Sequence, residues 1–321
     1  MGRFAQESRE FSTRLEEYGL KVACAAYLDG LVPPEKHRFY IRTIENHVDQ
    51  YMEPLLQQYR KCEPDHFQAP PNGKVPVWCC WWQGEEQMPE LVKMCHTRLK
   101  QVIPAGKAEL HLITLDNYRE YVEIPAHIID KFQQKTITMT TMSDILRFAL
   151  LEKYGGYWLD ATVFFSGAIP EEYFSGEFYC QRMVHNTELA KREACRGNWC
   201  GFSMAGPKGC VVFRYMNQAF SRWWNHYNSI IDYVLIDYLL WSGYKHIPAI
   251  RKVIDRVPDN NEDIFDMYQV LNQPYSPALL ERLTKRNVMH KLTYKMDLFK
   301  TTPEGEQTLY GYLWDMVYGE K

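Results

Sequence analysis

Two stretches decide the fold of this chain: Ser143-Asp144-Ile145-Leu146-Arg147 and, after one helical run, Lys153-Tyr154-Gly155-Gly156-Tyr157-Trp158-Leu159-Asp160-Ala161-Thr162. Apolar residues at helical spacing between them predict a helix, and Asp144 and Arg147, three apart, project from one face of it. The glycine pair matches a helix stop, and the aromatic residues after it favour a strand. Asp160 is therefore expected where a buried strand ends, which is where open α/β sheets bind ligands.

The regions around this core predict two parts of different character. Residues 1 to about 62 have apolar residues at helical spacing, and a proline-rich loop from Cys62 to Pro76 follows them. Beyond it come a strand at Val75–Trp81, a helix and a second strand at Glu109–Thr114, an alternating order that favours a parallel sheet. We therefore predict an α/β fold, with an N-terminal helical accessory region at 1–70 and a second domain at 71–321.

Three blocks in this order resemble the sugar-nucleotide core of the capsular polysaccharide synthesis glycosyltransferases: Trp78–Gly84, Ser143–Arg147 and Tyr154–Thr162. More remotely they are similar to yeast-type mannosyltransferases and glucosylating clostridial toxins. The resemblance implies a GT-A-like, Rossmann-type mixed sheet flanked by helices. It also implies a retaining hexosyltransferase that takes a nucleotide-diphosphate sugar, with UDP favoured as the nucleotide. The implied acceptor is a glycan or lipid-linked saccharide in capsular or extracellular polysaccharide synthesis.

Asp160 and Thr162 occupy the place of the metal-binding Asp-x-Asp of nucleotide-sugar transferases. The resemblance thus implies a divalent metal, Mn²⁺ or Mg²⁺, that bridges the donor diphosphate, with His290 completing its ligand shell. Threonine in place of the second carboxylate leaves this site with less negative charge. An ordinary strand-end cap is the alternative interpretation of Asp160.

The same resemblance implies how charged residues would hold the donor. Asp144 and Arg147 would bind the sugar hydroxyls and the ribose, because a carboxylate accepts from vicinal hydroxyls and a guanidinium donates in a fork. An ion pair on a solvated helix face is the alternative. Lys291 and Lys295, in the late segment that begins at His290, would bind the diphosphate, and a basic surface strand is the alternative there.

The nucleobase is expected at the end of the first strand, beside Trp81, Trp82 and Gln83, because aromatic rings stack on bases. Strand alternation would turn the two tryptophans to opposite sides, so one of them belongs to the core. The residues alone do not choose between them, and we favour Trp82 together with Gln83 as neighbours of the ligand.

The acceptor side is expected near Asn198, which we predict as a catalytic residue, and near Trp199. Asp232 and Asp237 are further candidates for binding sugar or acceptor. They lie five residues apart, a poor match to one helix face, so at most one is expected to point into the site.

Composition limits the partners and the location of the protein. The net charge of −3 and the sequence pI of about 6.4 give no basic field for nucleic acid. The first seventeen residues include charges and no apolar signal-peptide core, and no apolar run long enough to span a bilayer occurs. We predict a cytoplasmic protein, with peripheral attachment to the inner face of the membrane left open. The oligomeric state is also open.

Two rival functions fit the same residues. A toxin-like transferase would glycosylate protein rather than a saccharide. A catalytically silent nucleotide-sugar-binding scaffold would be favoured by Thr162, since a weakened metal site is one way for such an enzyme to lose turnover.

Overall fold

A mixed sheet of five strands, flanked by helices, forms the centre of the computed structural model, which describes residues 3–32, 38–63, 73–185 and 194–319. A separate pair of strands lies beside this sheet. The strands in chain order are β1 (Val75–Cys80), β2 (Ala108–Ile113), β3 (Gly156–Leu159), β4 (Val163–Phe165), β5 (Tyr179–Cys180), β6 (Ser203–Gly206) and β7 (Met289–Lys291).

The strand order of the central sheet is β2-β1-β3-β6-β5. β1 pairs in parallel with both β2 and β3, as the alternating strand and helix pattern predicts. β6 is antiparallel to β3, and β5 is antiparallel to β6. The carboxyl ends of β1 and β3 and the amino end of β6 therefore meet at one edge of the sheet. The predicted α/β fold with a mixed sheet is confirmed.

Helices cover the sheet and form the predicted N-terminal region, where the third helix packs against the second, eighth and ninth. Most of the predicted loop and the boundary at residues 70 and 71 lie outside the described residues, so the domain division stays a prediction. No helix in the described ranges combines the length and apolarity needed to cross a bilayer. The helices are α1 (Arg3–Tyr18), α2 (Leu20–Asp29), α3 (Arg38–Tyr59), α4 (Glu90–Val102), α5 (Tyr118–Tyr121), α6 (Ala126–Gln133), α7 (Met139–Tyr154), α8 (Val211–His226), α9 (Leu235–His246), α10 (Pro248–Asp255), α11 (Asp266–Gln269), α12 (Pro277–Thr284) and α13 (Leu309–Tyr318).

The connection from α7 to β3 depends on the predicted glycine pair. α7 begins after Thr138, whose side chain accepts a hydrogen bond from the Thr141 amide and caps the helix. It ends at Tyr154, and the next two residues, Gly155 and Gly156, have φ of 69° and 98°. A Cβ on Gly156 would lie 2.2 Å from the carbonyl oxygen of Pro76 in β1. Glycine therefore allows β3 to leave the helix sharply and to approach β1 closely.

The pair of strands β4 and β7 ties the late part of the chain to the end of β3. It is antiparallel and sets Val163 opposite Lys291 and Phe164 opposite His290. The Leu292 amide also donates to the Thr162 carbonyl at 2.9 Å. This pairing brings a lysine that is remote in sequence to the carboxyl edge of the central sheet.

Candidate active site

A cavity of about 700 Å³ opens at the carboxyl edge of the sheet. Its walls come from the turn after β1, the inner face of α7, the turn after β3, the segment before β6 and the residues that follow β7. The predicted site residues that line it are Trp81, Trp82, Gln83, Asp144, Arg147, Asp160, Thr162, Lys291 and Lys295.

Asp160 stands at the centre of this cavity. Its amide donates to the Phe202 carbonyl at 2.9 Å, which fixes the end of β3 against the entry to β6. Its Oδ1 accepts from Trp158 Nε1 at 2.9 Å and from Arg147 Nη2 at 3.2 Å, and its Oδ2 accepts from Lys291 Nζ at 2.9 Å. Burial opposes ionisation here, but the charges of Lys291 and Arg147 outweigh it and hold the pKa of Asp160 well below its usual range. Asp160 is therefore anionic at neutral pH.

Arg147 is held between two carboxylates. Its Nη1 donates to Asp144 Oδ1 at 2.8 Å while Nη2 reaches Asp160, and the guanidinium carbon lies 5.0 Å from the centre of the Trp158 ring. The side chain is 4% exposed, which excludes an ion pair on a solvated helix face. Burial raises the pKa of Asp144 to about 6, with a contribution from the Asp160 charge and a partial offset from Arg147.

Trp82 forms a fixed wall of the cavity. β1 ends at Cys80, so both tryptophans follow the strand, and both have atoms on the cavity wall. Trp82 belongs to the main hydrophobic core, whereas Trp81 is partly buried against a different cluster, which agrees with the expectation that one of the two is a core residue. Trp82 is 5% exposed, and its Nε1 donates to the Met139 carbonyl at 2.9 Å and to Ser143 Oγ at 2.8 Å. It thereby joins the turn after β1 to the first turns of α7.

Trp81 is half-buried and offers the more accessible aromatic surface. Its ring meets Tyr294 edge to face, with 5.6 Å between the ring centres, and its Nε1 donates to the Gln87 carbonyl at 3.3 Å. Gln83 is exposed at the same end of the cavity. A planar group would find an accessible ring at Trp81 rather than at Trp82.

Lys291 and His290, adjacent in β7, face opposite ways. Lys291 Nζ donates to Asp160 Oδ2 and, at 2.7 Å, to Thr162 Oγ1. His290 is fully buried on the other side, with Nε2 lying 3.1 Å from Ser166 Oγ, and burial lowers its pKa to about 4. The alternation of side chains along a strand places only one of these neighbours in the cavity. The predicted role of His290 as a metal ligand at this site is therefore corrected.

The comparison with known protein families covers the part of the chain that forms the cavity. The family model for "Capsular polysaccharide synthesis protein" matches residues 35–313, from just before α3 into α13, and so includes the whole cavity. This chain belongs to the capsular polysaccharide synthesis protein family. No curated protein matched it. A solved structure titled "PaToxG Glycosyltransferase" is similar at 12% identity over 77% of this chain and 95% of that chain, with a TM-score of 0.37. That likeness is weak, and the family assignment rests on the sequence match.

Asn198 lies outside the cavity of this family member. It is buried, its amide nitrogen donates to the Cys195 carbonyl at 2.9 Å, and its amide oxygen accepts from Arg182 Nη2 at 3.3 Å. These bonds close the turn at 195–198, and the side chain does not line the cavity. The expectation of a catalytic Asn198 on the acceptor side is corrected for this reason.

Asp237 is the acidic residue of α9 that reaches the cavity. Buried Trp199 donates its Nε1 to Asp237 Oδ1 at 2.8 Å and so orients the carboxylate. Asp232 instead accepts from the Tyr40 hydroxyl at 2.6 Å and binds the amide of Val234. This agrees with the expectation that at most one of the two aspartates points into the site.

Several cavity residues have no local signal in the sequence. Phe202, Tyr233 and Phe265 come from loops, and Tyr268 comes from α11, all distant along the chain from the quoted motifs. Thr293 and Tyr294 could have been found by continuing from Lys291 along its own segment. Gly201 leaves room for the guanidinium, since a Cβ there would lie 3.2 Å from Arg147 Nη1 and 2.9 Å from Ile236 Cδ1.

The donor atoms at Asp160 and Thr162 do not fit a divalent metal. Magnesium takes six ligands in octahedral geometry, and manganese likewise prefers oxygen ligands. Asp160 supplies one carboxylate, whose two oxygens already accept from protonated groups, and Thr162 supplies one hydroxyl that faces an ammonium. The other carboxylates that line the cavity, Asp144 and Asp237, accept from Arg147 and Trp199. In the described residues no group of three His, Cys, Asp or Glu side chains is arranged to hold a metal ion.

Proposed function

We propose that this protein is a glycosyltransferase that moves a hexose from a UDP-linked sugar to a glycan or lipid-linked saccharide in capsule synthesis. One observation carries the proposal: Asp144, Arg147, Asp160 and Lys291 form a chain of alternating charges inside a cavity at the carboxyl edge of the sheet. The cations suit a diphosphate and the carboxylates suit sugar hydroxyls. Membership of the capsular polysaccharide synthesis family supports the same activity.

The cavity contains a group for each part of such a donor. Trp81, rather than the more buried Trp82 favoured from the sequence, would stack on the base, an interaction that contributes on the order of 1–3 kcal/mol. Asp144 would accept hydrogen bonds from vicinal hydroxyls, and Arg147, already fixed by two carboxylates, requires little reordering to bind. Lys291 and Lys295 would neutralise the diphosphate.

The chemistry we propose is a front-face displacement with retention of configuration. The acceptor oxygen forms a bond to the anomeric carbon on the side where the bond to the diphosphate oxygen breaks, and the departing phosphate takes the acceptor proton. Because Asp144 and Asp160 are both paired with Arg147, neither is placed as a free nucleophile. The protein would act by orienting the reactants and by stabilising the leaving diphosphate.

The acceptor would approach past the loop before α9. Asp232 in that loop is bonded to Tyr40 of α3, and its neighbour Tyr233 lines the cavity and is strongly exposed. Leu20 and Leu28 of α2 are also exposed on the N-terminal helices. We propose cytoplasmic activity with peripheral contact to the inner face of the membrane, where a lipid-linked acceptor is available.

A donor screen tests the proposal. UDP-, GDP- and dTDP-linked hexoses are added to the wild type and to Arg147→Lys, with and without Mn²⁺, and melting and nucleoside diphosphate release are recorded. We expect UDP-linked sugar to raise the Tm by about 4 °C at a hundredfold excess over Kd. Arg147→Lys should lose this rise in Tm, because a lysine ammonium lacks the planar, bidentate donor geometry of a guanidinium.

Wild-type protein that shows no shift with any of these sugars would contradict the proposal. A shift without release of nucleoside diphosphate, in the presence of capsular oligosaccharide acceptors, would instead favour the silent scaffold.

Donor binding should depend on the protonation of Asp144. Its pKa of about 6 means that the carboxylate is mostly ionised at pH 7.5 and mostly protonated at pH 5, and protonation removes the negative charge and turns one of its two acceptor oxygens into a donor. We expect donor affinity to fall roughly tenfold between pH 7.5 and pH 5. Asp144→Asn should bind weakly and show a flat profile, whereas Asp130→Asn, on the exposed face of α6, should keep the wild-type profile. A wild-type affinity that is constant across this range would refute the role of Asp144.

A further inference from the structure

We infer that the Lys291 ammonium takes the place of a divalent cation between Asp160 and the donor diphosphate, so that this protein binds nucleoside diphosphates without a metal. The inference rests on the proposed function, because it assumes a donor that carries a diphosphate. It replaces the metal predicted from the sequence with a residue of the chain itself.

The position of Lys291 is fixed by contacts on several sides. Nζ lies 2.9 Å from Asp160 Oδ2 and 2.7 Å from Thr162 Oγ1, and the side chain is 19% exposed to the cavity. The ring of Phe202 supports it, with 4.8 Å from Nζ to the ring centre. An ammonium has three hydrogen-bond donors, and these two contacts use two of them. The third is available to a phosphate oxygen in the cavity.

The charges of the cluster match an ammonium better than a divalent ion. Two carboxylates would balance a divalent cation, but position 162 is threonine, and the single carboxylate of Asp160 balances one lysine. Thr162 also accepts a hydrogen bond from Lys291, a role that needs no negative charge. Arg147 adds a second positive charge on the other oxygen of Asp160. A diphosphate would thus meet two cations that the fold has already placed.

A metal would have to displace these groups before it could bind. Both oxygens of Asp160 accept from protonated donors, Oδ1 from Trp158 and Arg147 and Oδ2 from Lys291. A divalent ion at the position of Nζ would meet the two groups that the ammonium contacts, Asp160 Oδ2 and Thr162 Oγ1. It would also be repelled by Arg147 and by the displaced lysine.

Calorimetric titration of UDP, GDP and dTDP tests the inference. Each nucleotide is titrated into the full chain in EDTA and again in Mn²⁺. We expect the nucleotide that binds to do so with the same Kd, within about twofold, in both buffers. Lys291→Met keeps most of the length of the unbranched side chain and removes its charge, and should weaken binding roughly 10- to 100-fold, with no recovery in Mn²⁺. The control Lys93→Met, exposed on α4, should bind as the wild type does.

The outcomes separate the inference from the proposed function. Binding by the wild type that is absent in EDTA and restored by Mn²⁺, or wild-type binding by Lys291→Met, would overturn the inference and leave the donor assignment intact. Binding of no nucleoside diphosphate in either buffer would overturn both. If Lys291→Met does not fold, the wild-type comparison and a Mn²⁺ titration followed by EPR decide the question. We expect the protein to bind no ion by itself, and with nucleotide no more ion than the same concentration of nucleotide binds without protein.

Discussion

Asp160→Ala is expected to abolish glycosyl transfer, with kcat/KM lowered by about 10³-fold, or about 4 kcal/mol of transition-state stabilisation. Asp160 contacts both Arg147 and Lys291. Without it, the two cations repel each other across an empty space and lose the positions from which they would meet the diphosphate. Trp158 also loses the acceptor for its indole N–H.

Asp160→Asn removes the negative charge of the side chain but keeps its shape, and the amide oxygen can still accept the hydrogen bond from Trp158. The variant therefore tests the charge separately from the shape. We expect it to fold as well as the wild type and to be almost as inactive as the alanine variant. Asp116→Ala, in the exposed turn after β2, is the matched control and should keep full activity. Release of nucleoside diphosphate measures turnover, and circular dichroism verifies folding. Wild-type turnover by folded Asp160→Ala would refute the placement of the site.

The parts of the site that lie close together in sequence could be predicted. Asp144 and Arg147 share a face because of helical spacing, and Asp160 ends a strand that glycine introduces. Lys291 could be assigned only by its position in the resemblance, since its contact with Asp160 depends on the pairing of β4 with β7. Pairing between distant strands has no local signal. The alternation of side chains along a strand, in contrast, can be read from the sequence. With Lys291 in the cavity, it predicts that the adjacent His290 points away from it.

Other departures have equally local causes. β1 ends one residue earlier than predicted, so Trp81 follows the strand instead of ending it. Asn198 is a polar residue near a strand, a pattern typical of a site, but its side chain closes a turn through hydrogen bonds that only the structure reveals. The order of strands and helices in the sequence also does not predict the antiparallel pairing of β5 with β6, because both strands are short.

Gly156→Ala is expected to cost more than about 4 kcal/mol of folding free energy, a large share of the 5–15 kcal/mol typical of a domain. Two effects add. A left-handed φ of 98° strains any L-residue by about 1–3 kcal/mol. The new Cβ would also lie 2.2 Å from the Pro76 carbonyl oxygen and 2.7 Å from Pro76 Cγ, and a strand paired on both sides cannot move away. We therefore expect β1 and β3 to separate.

Gly106→Ala is the matched control for this prediction. Gly106 lies in an exposed turn where an added Cβ meets nothing within 4 Å, so the change should alter stability by less than about 1 kcal/mol. Urea unfolding followed by circular dichroism compares the two variants, and a soluble yield near zero for Gly156→Ala counts as the expected result. Equal midpoints would contradict the close approach of β3 to β1. Because Asp160 follows β3 directly, any partly folded Gly156→Ala should also lose donor binding, which would show that the glycine pair positions the site as well as the sheet.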